Sequence, residues 1–72
     1  MIDAITKQVA DNISRIRHDQ NLTQVEVAKR ADNMSSNHYA KVEQGKTKPS
    51  ITVYERIAKG LGVELADIFK TS

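Results

Sequence analysis

Signals that stop helices recur so often along these 72 residues that no helical stretch has room for more than about four turns. They lie at His18-Asp19-Gln20-Asn21, Asp32-Asn33, Gly45 and Gly62, and strand signals are nearly absent. The chain is thereby cut into five short helical segments, and the expected fold is all-α. A chain of this length fits one small domain, 1–72, with a single core. It has no cysteine to staple that core, so helix packing must do the stabilising.

Spacing shows where each segment turns inward. Ile5, Val9, Ile13 and Ile16 are separated by four, four and three, which predicts a core stripe on a helix of roughly 4–18. Thr23-Gln24-Val25-Glu26 has capping-box form, and the helix behind it offers Val27, Ala28 and Ala31, small enough to admit another helix closely, while Lys29 and Arg30 face out. Ser35 caps a third helix of about 36–44, and Gly45 suits the left-handed position that closes it. Pro49-Ser50 opens a fourth helix with Ile51, Tyr54, Ile57, Ala58 and Leu61 inward, and Gly60 weakens its last turn. Val63, Leu65, Ile68 and Phe69 predict a short fifth helix that either closes the core or presents an apolar surface to a partner.

Composition excludes more functions than it selects. Hydrophobic residues at 39% and charged residues at 28% describe a chain that folds and does not stay disordered. Without cysteine there is no thiol nucleophile and no thiolate metal site, and a reducing cytoplasm is the expected setting. Two histidines, His18 and His38, make no metal cluster, and neither stands in a recognisable catalytic pattern. No carboxylate pair, triad or glycine-rich phosphate loop is present, so an enzyme and a cofactor are not expected. No run approaches the 18 or so apolar residues of a membrane span, and no signal-peptide run opens the chain. The net charge of +2 is small, but it is localised: between residues 21 and 48 five bases outnumber three acids, while acids and bases cancel on either side.

That basic segment is also the most informative. Residues 23–44 run from a capped short helix with small inward residues through a turn to a second short helix opening Ser35-Ser36-Asn37, which is a helix-turn-helix pattern. The chain here resembles the Cro and phage-repressor family, the xenobiotic-response-element type of helix-turn-helix domain. The resemblance rests on Leu22-Thr23-Gln24, Val27-Ala28, Val42-Glu43-Gln44-Gly45-Lys46, Pro49-Ser50 and Ile57-Ala58-Lys59-Gly60-Leu61-Gly62-Val63, in that order and at nearly the usual spacing, over almost the whole chain. There are two departures. Ala28 and Glu43 stand one residue further apart than usual, so the turn at Asp32-Asn33 is lengthened and lacks its customary glycine. Tyr39 stands where an aliphatic side chain is usual, and its hydroxyl needs a hydrogen-bond partner or an exit to water.

The resemblance implies a five-helix, lambda-repressor-like domain that binds double-stranded DNA and regulates transcription, in a phage, a mobile element or a restriction-modification system. On the third helix, Ser36, Asn37, Ala40, Lys41 and Gln44 fall in one polar band while Tyr39 and Val42 point inward. Base contacts are accordingly expected from Ser36, Asn37, Ala40 and Lys41, with Asn37 suited to adenine and Lys41 to guanine. Backbone contacts are expected from Thr23, Gln24, Ser35, His38, Gln44, Lys46, Thr47 and Lys48. Thr23 and Ser35 are caps under any function, and Lys46 and Lys48 are also the kind of loop lysines that merely solubilise. Arg17 and Glu43 match the family's ion pair between the first helix and the end of the recognition helix. One such helix reads few base pairs, so a homodimer on a palindromic operator is expected, with Val53, Leu65, Ile68 and Phe69 as interface and RNA polymerase as a possible further partner. The rival reading is a protein-interaction module, antitoxin-like or bridging.

Overall fold

The computed structural model describes residues 3–70, and within them all regular structure is helical. In chain order the helices are α1 (Ala4–Asp19), α2 (Gln24–Arg30), α3 (Ser36–Glu43), α4 (Ile51–Leu61) and α5 (Leu65–Ile68). Each of the first four begins where a short polar side chain takes up an orphan amide. Asp3 accepts from the Thr6 N–H, Thr23 from Glu26, Ser35 from His38 and Ser50 from Val53. Glu26 returns the bond to the Thr23 N–H at 2.8 Å, completing the capping box. Asn21 ends α1 with φ +58°, and Gly45 follows α3 with φ +71°.

The core gathers one face of every helix: Val9 and Ile13 from α1, Val27 and Ala28 from α2, Tyr39 and Val42 from α3, Tyr54, Ile57 and Leu61 from α4, and Ile68 from α5. Two apolar residues fall elsewhere than their spacing predicts, and a third falls elsewhere than its expected role. Ile5 is 71% exposed, because it lies at the margin of the buried arc in the first turn of α1, and Thr6 takes the inward position. Ile51 is 55% exposed at the first residue of α4, one turn ahead of the point where that helix meets the core. Ile68, expected at a dimer interface, is fully buried, because α5 closes the bottom of the core.

Polar side chains tie the helix ends together. Asn12 is buried on α1, and its amide nitrogen donates to the carbonyl of Ile68 (3.0 Å), which a four-residue helix cannot satisfy internally, and to that of Lys70 (2.7 Å) just beyond the helix. Gln20 Nε2 donates to the Leu61 carbonyl at 2.8 Å and closes α4 in the same way.

Gly60 has a different role from the weak last turn its composition implies. A Cβ there would stand 2.9 Å from the Val27 carbonyl oxygen, 3.0 Å from the Ala31 nitrogen and 3.2 Å from the Arg30 carbonyl carbon. All three are backbone atoms of α2 and its cap, so the crossing of α2 and α4 closes only because residue 60 has no side chain. Gly60→Ala should recover about 1 kcal/mol of helix propensity and lose about 1–3 kcal/mol through overpacking. The expected result is a lower urea midpoint, and a higher one would show that the two helices part without cost.

Candidate nucleic-acid interface

The third helix is held from behind and open in front. Tyr39 and Val42 are buried, Ser36, Asn37, His38, Lys41 and Gln44 are exposed, and Ala40 is half-buried. The polar band expected from helical spacing is therefore a continuous surface strip. Small Ala40 lies within it, so a flat or grooved partner can approach the helix backbone closely.

Glu43 anchors the C-terminal end of the strip. Arg17 Nη2 donates to Glu43 Oε1 at 2.7 Å and Nε donates to Oε2 at 2.9 Å, a two-pronged pairing of a planar guanidinium with a carboxylate. Both residues are buried, at 9% and 7% exposure. Arg17 Nη1 also donates to the Leu22 carbonyl at 2.9 Å, so one side chain locks α1 to α3 and to the approach to α2. Burial by itself pushes the Glu43 carboxyl upward, but hydrogen bonds from Arg17 and its neighbours outweigh it, and the group titrates below its ordinary value. The Tyr39 hydroxyl lies near this pair, fully buried and without a hydrogen bond of good geometry. Burial holds it well above the usual phenol range, so it stays neutral.

The flanking residues divide into three groups. Thr23 and Ser35 occupy helix N-termini, where their oxygens already accept the cap bonds. Gln24 is half-buried, and its amide nitrogen reaches Glu43 Oε1 at 3.4 Å, so the ion pair behind it also orients the amide. Lys46 and Thr47 stand in the loop after α3, the first exposed and the second half-buried. Among the described residues neither Lys41 nor Lys46 has an ion-pair partner.

Lys48 differs from that expectation. Its ammonium lies 2.9 Å from Asp3 Oδ2, at the N-terminus of α1. The pair is exposed and exchangeable, but at rest it cancels one of the positive charges counted toward this face. The N-cap position of Asp3 is legible in Asp3-Ala4-Ile5-Thr6, whereas its partnership across 45 residues leaves no local trace. A second acid, Asp32 in the turn between α2 and α3, pairs with Lys59 and Arg56 of α4 and was equally invisible in the local pattern.

The helix-turn-helix family model matches residues 13–68, which span all but the first half of α1 and the chain ends. The chain belongs to the helix-turn-helix family. Among curated proteins it is similar to the immunity repressor of Bacillus phage phi105, 35% identical over 60 residues, covering 83% of this chain and 41% of the repressor. The chain thus spans less than half the length of that relative. Among solved structures this helix-turn-helix chain is similar to the restriction-modification controller protein C.AhdI of Aeromonas hydrophila, with TM-score 0.86, 19% identity and coverage of 93% of this chain and 100% of that one. A point variant of the controller protein C.Esp1396I matches with TM-score 0.87 at 26% identity, covering 96% of this chain and 86% of that one. With the turn at Asp32-Asn33 the chain keeps the helix-turn-helix fold.

The apolar surface is smaller than the sequence implies. Val53 and Leu65 are half-buried against the core, and Ile68 is inside it. Phe69 stays partly exposed and packs edge-to-face with Tyr54, with ring centroids 5.2 Å apart at 77°. Beside it, Ala4, Ile5, Gln8 and Val9 complete a shallow cavity of about 210 Å³. No helix of the described residues is long and apolar enough to cross a membrane, and among those residues no three metal-ligating side chains converge.

Proposed function

We propose that the protein is a sequence-specific double-stranded DNA-binding transcriptional regulator that acts as a dimer in the cytoplasm and performs no chemistry. One observation carries this reading: the exposed strip of Ser36, Asn37, Ala40 and Lys41 on a short helix braced from behind by Tyr39, Val42 and the Arg17–Glu43 pair. A helix of this size fits the major groove of B-DNA, where amide and ammonium donors meet the acceptors of adenine and guanine. Thr23, Gln24, Ser35, His38, Gln44, Lys46 and Thr47 flank it as phosphate contacts, and Lys48 joins them when Asp3 releases it. Two copies about 34 Å apart along the duplex would read a palindrome. Val53, Leu65 and Phe69 form the proposed interface, with Ile68 supporting it from the core. Occupying a promoter represses, and touching RNA polymerase beside one activates. The likeness to a phage repressor and to restriction-modification controllers supports this class of regulator.

Selection of bound duplexes from a random pool tests the proposal directly. The expected product is a two-fold symmetric site whose half-site spacing matches the helical repeat. Titration of that duplex over a range of salt should give a log affinity that falls linearly with log salt, by about 0.9 for each phosphate neutralised. Lys46→Ala should weaken all sequences alike and reduce that slope by about one. A pool that returns no preferred sequence, together with salt-independent capture of a protein, would instead establish the interaction-module reading.

A further inference from the structure

The turn between α2 and α3 poses a mechanical problem. Every turn residue brings two soft backbone dihedrals, so a turn by itself directs α3 only loosely. Asp32 and Asn33 both adopt the left-handed conformation, at φ +55° and +60°, which side chains other than glycine enter reluctantly. Backbone bonds from Asn33 N to Lys29 O (3.0 Å) and from Met34 N to Ala28 O (2.8 Å) wrap this turn onto the end of α2.

Beyond the turn, Ser36, Asn37 and His38 are all exposed, and Tyr39 is the first residue of α3 to enter the core. The end of α3 that carries Asn37 is thus directed by the turn, where Met34 rests half-buried against the core, whereas Tyr39, Val42 and Glu43 secure the other end. The turn has its own fastening to α4. Asp32 Oδ1 accepts from Lys59 Nζ at 2.9 Å, and Asp32 Oδ2 lies 3.8 Å from Arg56 Nε. Arg56 and Lys59 are three apart on one face of α4, so a single carboxylate bridges both. The neighbouring Gly60 is where α4 meets the α2 backbone, so the same stretch of α4 grips the end of α2 and the turn that follows.

We propose that Asp32 is a positioning residue for DNA binding: by pinning the turn to Lys59 and Arg56, it sets the angle at which α3 presents Asn37 to the bases. The inference rests on the DNA-binding reading above. It assigns a binding role to three residues of which none lies on the recognition strip, and it gives an acid beside a polyanion a favourable effect.

Charge separates this role from its rivals. Asp32→Asn keeps a residue that tolerates the left-handed conformation and makes the protein more positive by one; Lys59→Gln removes the shorter arm of the same bridge and makes it less positive by one. Both variants, the wild type and Lys59→Arg are titrated against the duplex selected from the random pool and against a scrambled duplex of equal length. Asp32→Asn and Lys59→Gln should each lower the ratio of selected to scrambled affinity by about threefold, the scale of one exposed ion pair, although their net charges change in opposite directions. Lys59→Arg should keep the wild-type ratio.

If Asp32→Asn raises both affinities and Lys59→Gln lowers both at a constant ratio, Asp32 acts only as a charge and the inference falls. It falls equally if both variants lower the melting temperature and leave the ratio unchanged. Should Asp32→Asn not fold, Lys59→Gln, at an exposed helix position, decides the matter alone. A wild-type protein with no preferred duplex would overturn the DNA-binding reading and this inference with it, whereas a wild type that discriminates and variants that do so equally well overturn this inference alone.

Discussion

Glu43→Gln should destabilise the fold by about 3 kcal/mol, because it leaves the Arg17 guanidinium buried beside a neutral amide. The lower end of the range for a broken buried pair applies, since Arg17 keeps about a tenth of its side chain, 11%, at the surface and a second acceptor in the Leu22 carbonyl. Against a total of about 4–11 kcal/mol for a chain of this size, the loss is a large fraction. Replacing both partners, as Arg17→Met with Glu43→Leu, should cost much less than the two single substitutions together, because no uncompensated charge then remains. Urea unfolding of the wild type, Arg17→Met, Glu43→Leu and the double variant measures this, and additive losses would show that the pair is not coupled.

The same pair carries a pH dependence whose sign follows from the lowered carboxyl. Glu43 titrates in the folded protein below its ordinary value of 4.5, so its contribution is present in full above that value and is lost as pH falls through the lower, folded value. The wild type should therefore lose stability on acidification more steeply than Glu43→Gln below about pH 4.5. Asp3, Glu26 and Asp32 are lowered as well, by Lys48, by the Thr23 amide and by Lys59 respectively. Those groups are common to both proteins and cancel in the difference.

The second large effect concerns recognition. Asn37→Ala and Lys41→Ala should each cost about 1–3 kcal/mol of affinity for the selected duplex and should relax preference at separate base pairs. Neither changes the melting temperature much, since both side chains are exposed and make no hydrogen bond among the described residues. Their salt slopes should stay close to wild type, because a contact to a base edge releases no phosphate counterion. Repeating the duplex selection with each variant reads the outcome, and a uniform loss across all sequences would remove these residues from base readout.

Much of this architecture is legible in the chain because its signals act over three or four residues. Thr23 with Glu26, Ser35 with the His38 amide, and the inward spacing of Tyr54, Ile57 and Leu61 are all contained within a single helical turn or two. Ile5 and Ile51 mislead for a related reason: periodicity identifies a face, but not the length over which that face has a neighbour. The Arg17–Glu43 pair, 26 residues apart, was reachable only through the family resemblance, and the structure brings the two together as that resemblance implies.

The sequence by itself determined the five helices, the caps at Thr23 and Ser35, the helix-turn-helix pattern and the composition of the strip on α3. Only the tertiary structure decided which charges are spoken for. It ties Lys48 to Asp3 and Asp32 to Lys59 and Arg56, takes Ile68 into the core, and makes Gly60 the contact point of two helices instead of a weakness in one. Each of these joins residues at least 24 positions apart, or depends on how closely two helices approach. Capping and periodicity, which act within a helix, have no way to encode either.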